Sequence, residues 1–197
     1  DDQSLGRELR KLRQRVMARL IARDLSGRAS LDEVVATVTA LAEVTIRMAV
    51  SRLHADLAAL HGEPRGTTDN AIQQLHVVGM GKLGGAELNA SSDIDLVLVY
   101  PEEGDTDGTR SLSNHEFFTR LARRLINALN EWTEDGFVFR VDTRLRPYGD
   151  SGPLVVSFEM LENYLITQGR AWERYAWIKG RVLTGNQPEA LMAMVKP

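Results

Sequence analysis

Apolar residues recur every three or four positions from Leu5 to Asp24, at Leu5, Leu9, Leu12, Val16 and Leu20, which predicts an amphipathic helix closed by Ser26-Gly27. A second helix is expected from Ser30, where Ser30 and Glu33 have capping-box spacing, through Leu31, Val34, Val38, Leu41, Ile46, Leu53 and Leu57 to about Leu60. The turn between them is short, so the two should lie antiparallel as a helical lead-in. His61 to Asn70 holds Gly62, Pro64 and Gly66 and reads as a loop and boundary. Short strands are then predicted at Leu75–Met80 and Ile94–Tyr100, with an acidic solvent loop from Pro101 to Leu112. Ser113 and Glu116 open a long helix with the stripe Phe117, Leu121, Leu125 and Leu129. After the Asp135-Gly136 turn, Phe137 to Asp142 alternates as a third strand. Helices are expected over Phe158–Gln168 and Arg170–Leu183, stopped by Gly169 and Gly185. The expected segments are therefore 1–70, helical; 71–156, an α/β core; and 157–197, further helices.

Composition narrows the class. Among 197 residues, 43% are hydrophobic and 26% charged, which suits a globular chain, and a net charge of −3 gives no general drive toward nucleic acid or membrane. No cysteine is present, which excludes disulfides and thiolate metal sites and fits a reducing cytoplasm. No apolar run approaches the roughly 18 residues needed to span a membrane. The chain begins Asp1-Asp2 and ends Lys196-Pro197 after a helical-looking stretch, and it reads as part of a longer protein. Seven basic residues (Arg7, Arg10, Lys11, Arg13, Arg15, Arg19, Arg23) surround the first apolar stripe; they read as a solvated face, with docking of an acidic partner as the alternative.

Chemistry concentrates in Gly79 to Tyr100, GMGKLGGAELNASSDIDLVLVY. Asp93 and Asp95 stand two apart at a strand entrance, so both point to one face. Like charges placed together suit a divalent cation, which takes carboxylate oxygens and leaves room for phosphates. A mixed sheet would bring Asp142, at the end of the third strand, beside them. Two metal ions held by three such carboxylates are a means of nucleotidyl transfer. Gly81, Gly84 and Gly85 would let backbone amides approach phosphates, and Arg144 and Arg146 would bind phosphate oxygens. The glycine turn has neither Walker A nor Rossmann spacing. Histidines 54, 61, 76 and 115 show no ligand spacing and read as structural or solvated.

At these residues the chain resembles the glutamine synthetase adenylyltransferase/adenylyl-removing enzyme family. The same holds for Gly136 to Arg181, GFVFRVDTRLRPYGDSGPLVVSFEMLENYLITQGRAWERYAWIKGR, and the resemblance covers nearly the whole chain. It implies an α/β nucleotidyltransferase (polymerase-beta-like) core on a mixed sheet, preceded and followed by helices. It further implies Asp93, Asp95 and Asp142 as catalytic, metal-binding carboxylates for Mg2+, two ions being expected. Gly81, Gly84 and Gly85 match the turn over the nucleotide phosphates, and Arg144 and Arg146 match the Arg-Leu-Arg-Pro element. Ser92 is expected either to donate to a phosphate or to cap the strand entrance. Arg174 and Lys179 read as surface ion-pair residues or, alternatively, as lining of the substrate cleft. The family carries two homologous nucleotidyltransferase-like domains. Ser151 to Leu154 and Gln168 to Tyr175 look more like the N-terminal copy, an adenylyl removase that uses phosphate to release ADP from the adenylyl-tyrosine of glutamine synthetase. The adenylyltransferase copy, or a non-catalytic nucleotide-binding regulatory module, are the alternatives. Implied partners are glutamine synthetase, adenine nucleotide, inorganic phosphate and a PII signal protein, in the cytoplasm, with no nucleic acid or membrane.

Overall fold

Periodic apolar stripes become helices where both stripe and cap are present. In the computed structural model, which describes residues 1–195, α1 spans Asp2–Leu25 and α2 spans Leu31–His61. The Ser30 hydroxyl accepts from the Glu33 amide at 3.2 Å, the N-cap half of the expected capping box, while the Glu33 carboxylate turns to Arg23 instead. α4, Asn114–Asn130, starts the same way, with the Glu116 amide donating to Ser113 Oγ. Phe117, Leu121, Leu125 and Leu129 of α4 are fully buried against α2 and α1 in one continuous core. By length and composition α2 is apolar enough to cross a membrane, the one such helix among the described residues, although Glu43, Arg47 and Arg52 interrupt its apolar run. Its stripe, Val38 to Leu57, packs here on α1 and α4.

The sheet is mixed. β1 (His76–Gly79) pairs antiparallel with β2 (Ile94–Tyr100), Val77 opposite Leu98. Two short strands share the other edge of β2, both parallel to it: β3 (Val141–Asp142) at its start and β4 (Val156–Ser157) at its end. β5 (Arg181–Val182) pairs antiparallel with β1, giving the order β3-β2-β1-β5. One face rests on α1, α2 and α4. The other is covered by α5 (Phe158–Thr167) and α7 (Pro188–Val195), with Val78, Val97, Val99, Leu161, Trp177 and Leu191 between. Burial on both faces explains the unbroken apolar run Leu96–Val99. The expected α/β architecture is present, with the last two positions of the 157–197 segment outside the described residues.

Three local expectations are corrected. The third strand is confined to Val141–Asp142, because Val138 and Phe139 are both buried, which no alternating strand permits. Their amides instead both donate to the Leu129 carbonyl, at 3.0 and 2.9 Å, and satisfy the C-terminal turn of α4. The helix expected over Arg170–Leu183 stops early: α6 covers Ala171–Ala176, a 3₁₀ turn covers Trp177–Lys179, and the chain then becomes β5. Here edge pairing prevails over helix periodicity, and the Leu183 amide donates to Val77 O at 2.8 Å. The basic face of α1 is also not all solvated. Arg10 is buried, and the Arg13 guanidinium stands 4.9 Å from the Phe137 ring centroid, because that face packs on the chain leaving α4.

Candidate active site

Strand alternation decides where the carboxylates go. In β2, Ile94, Leu96, Leu98 and Tyr100 enter the core under α1, α2 and α4, whereas Val97 and Val99 enter the core under α5 and α7. Asp95 shares the parity of the second set and so emerges on the α5/α7 side. β3 aligns Val141 with Ile94 and Asp142 with Asp95. Val141 packs toward the first core, so Asp142 lies on the same side as Asp95. Adjacent strands are about 4.8 Å apart, so these carboxylates are immediate neighbours. Burial, followed by the charges of Asp142 and Asp93, pushes the Asp95 carboxyl above the usual carboxylate range, while Arg144 and Lys82 oppose the rise.

The glycine turn sits across Asp95. It forms a single helical turn, α3 (Gly81–Gly84), tied to β2 by the Met80 amide donating to Asp95 O at 2.9 Å. Gly81 has φ +53°, and a Cβ there would stand 2.9 Å from Asp95 Oδ2. The backbone therefore lies directly against the carboxylate, which only glycine allows. Gly84 is needed for another reason: a Cβ would fall 1.8 Å from the Lys179 carbonyl, so this glycine packs the turn on the segment before β5. A Cβ at Gly85 would stand 3.3 Å from the Glu87 carboxyl carbon, a tight contact that the Glu87 side chain can relieve by moving. The Ser92 hydroxyl donates to Asn89 Oδ1 at 2.8 Å and closes the turn leading into β2.

Asp142 stands beside Asp95, but each of the outer two carboxylates is engaged by an arginine. Asp93 is held by Arg140, whose Nη2 also donates to Ser91 O at 2.7 Å. Asp142 receives Arg144 Nε at 2.8 Å and the Arg144 amide at 2.8 Å, and that guanidinium holds its carboxyl below the usual range. Among the described residues, no three His, Asp or Glu side chains converge closely enough to hold a metal ion. Like carboxylates repel, and a guanidinium two residues away along the chain takes the charge of Asp142 at short range. The donor chemistry, carboxylate oxygens beside an open cleft, still suits a divalent cation.

Two functional candidates escaped the sequence reading. Lys82 and Arg140 line the cleft with Gly81, Ser91, Ser92, Asp93 and Asp95. A signal existed for Arg140, which stands two residues before Asp142 as Asp93 stands before Asp95. Arg144 is 74% exposed at its side chain and faces solvent beyond Asp142. Arg146 is only 12% exposed and donates to Thr143 O and Oγ1 at 2.9 and 2.8 Å, so it braces the loop after β3. Lys179 pairs with Glu87 at 2.7 Å, and Arg174 donates to Leu165 O at 2.7 Å. His76 is buried and His54 pairs with Glu63.

A family model described as "Glutamate-ammonia ligase adenylyltransferase" matches residues 1–194. The chain is similar to the bifunctional glutamine synthetase adenylyltransferase/adenylyl-removing enzyme of Nitrosomonas eutropha, 57% identical over 99% of this chain and 21% of that protein. The protein of the same name from Ralstonia nicotianae is 61% identical over 93% of the chain and 19% of its own length. That from Chromobacterium violaceum is 58% identical over 99% and 22%. The chain thus spans about a fifth of the length of these relatives. With a mixed sheet flanked by helices and a family model matching almost from end to end, it has a nucleotidyltransferase-like core and belongs to the glutamate-ammonia ligase adenylyltransferase family.

Proposed function

We infer that the chain is the deadenylylating domain of a bifunctional enzyme acting on glutamine synthetase. The observation that carries this reading is the in-register pair Asp95 and Asp142 beneath the Gly81 turn, with Lys82, Arg140 and Arg144 around it. The cleft thus offers carboxylates and cations at once, as transfer of a phosphoryl-type group requires. An oxygen of inorganic phosphate forms a bond to the adenylyl phosphorus, and the bond from that phosphorus to the tyrosine oxygen breaks. The phenolate takes up a proton from water, and ADP is released. Lys82, Arg140 and Arg144 orient the incoming phosphate and neutralise charge on the equatorial oxygens. Magnesium bound by Asp93, Asp95 and Asp142, two ions in this reading, would supply Lewis-acid polarisation of the phosphate oxygens.

Direction rests on the likeness of Ser151 to Leu154 and Gln168 to Tyr175 to the family's N-terminal copy. A cytoplasmic location and regulation by a PII signal protein belong to the same reading. A paired assay in magnesium buffer tests it. Adenylylated glutamine synthetase with inorganic phosphate is expected to yield ADP, whereas unmodified synthetase with ATP is expected to take up no AMP. AMP incorporation without ADP release would reverse the assignment to the transferase direction.

A further inference from the structure

Arg144 also lines a second groove, of about 380 Å³, which falls in the size range of small-ligand sites. Tyr148, Tyr164, Trp172, Arg144, Arg170 and Glu173 line it. Three observations mark it as a binding surface. Trp172 is half exposed and lines the groove, whereas Trp177 is buried and Trp132, itself exposed, stacks on Phe137 at 5.0 Å between ring centroids and lines no part of it. Tyr148 is held at φ +62°, a left-handed backbone unusual for an aromatic residue, with its ring 4.6 Å from that of Tyr164. The position of Tyr164 is itself fixed, because its hydroxyl donates to Glu173 Oε1 and Glu173 Oε2 accepts the Arg170 amide at 2.7 Å. The groove is therefore built from braced aromatic rings and is continuous with the carboxylate site through Arg144.

The geometry points to this groove as the subsite for the purine ring of the adenine nucleotide, with Tyr148 and Trp172 as stacking faces and Arg144 and Arg170 directed at its ribose-phosphate. The inference rests on the nucleotidyl-transfer reading above and places its substrate. A flat aromatic ligand that carries negative charge matches two open rings flanked by two guanidinium groups. A polypeptide loop would match the apolar residues alone and leave the arginines without a function.

The test uses the full-length enzyme and 8-azido-ADP as a photoprobe, with labelled peptides mapped. Label is expected on the peptides carrying Tyr148 or Trp172 and is displaced by ADP. Trp172→Ala is expected to weaken that displacement about 5- to 100-fold, and Trp172→Phe to restore most of it, with circular dichroism unchanged. Saturable label elsewhere within residues 1–195, unaffected by Trp172→Ala, would overturn the subsite and leave the transfer reading standing. No saturable label anywhere in this region would overturn both. If Trp172→Ala weakens capture of adenylylated glutamine synthetase but not ADP displacement, the groove takes polypeptide and the purine assignment is wrong.

Discussion

Asp95 and Asp142 are register partners on adjacent parallel strands, facing the same side of the sheet. Like charges directly opposite across a sheet cost up to about 1 kcal/mol, and here burial adds to that cost. Such a pair persists for its chemistry rather than for stability. Asp95→Asn should therefore lower ADP release by at least about 100-fold, the usual effect of losing one group that stabilises a transition state. Thermal unfolding should show an unchanged or slightly higher midpoint. A variant that turns over normally would remove Asp95 from the site.

Gly81 makes a separate prediction, because its requirement is steric. Alanine at φ +53° costs about 1–2 kcal/mol, and its Cβ would crowd Asp95 Oδ2 at 2.9 Å. Gly81→Ala should lose stability in urea and also lose activity, since the carboxylate must turn away. Gly84→Ala, which meets the Lys179 carbonyl instead, should cost more stability. Activity in the Gly84 variant should fall only as far as its folded fraction does.

His76 predicts a pH dependence. Its ring is buried, with Nδ1 donating to Gln74 O at 3.1 Å and Nε2 accepting the Gln187 amide at 3.1 Å, so only the neutral ring fits. Burial lowers its pKa to about 4 from 6.5. The unfolded chain then binds a proton below 6.5 that the folded chain refuses until about 4. Stability from this group is complete above 6.5, falls through that window by about 3 kcal/mol, and levels off below it. Urea midpoints measured from pH 7 to 4 should show this slope, and His76→Gln should flatten it. Imidazole NMR would contradict the assignment if the His76 resonances titrated near 6.5.

Arg10 makes the opposite prediction for a mutation in the core. Its Nε and Nη1 are buried without a hydrogen-bond partner, and Glu131 stands 3.9 Å away. A buried guanidinium so poorly paired is a net cost, and a methionine of similar length removes it. Arg10→Met should raise the urea midpoint, by about 1–2 kcal/mol in unfolding free energy. A drop would mean that the Glu131 contact outweighs the desolvation of the charge.

The sequence by itself determined whatever depends on near neighbours in the chain. Caps at Ser30 and Ser113 with the stripes behind them specified α2 and α4, because capping and helical periodicity act within four residues. The strand that carries Asp95 and the glycine turn before it were legible for the same reason, and so was the α/β class. Tertiary structure alone decided which distant segments share an edge. The two amides that Leu129 accepts took Val138 and Phe139 out of the expected strand, and the open edge of β1 turned the end of an expected helix into β5. It also decided which charges meet. Arg140 reached Asp93 across 47 residues of chain, and Arg10 was carried into the core by the packing of α1 on α4. Coulomb forces and burial act through space, and the order of residues along the chain does not state those distances.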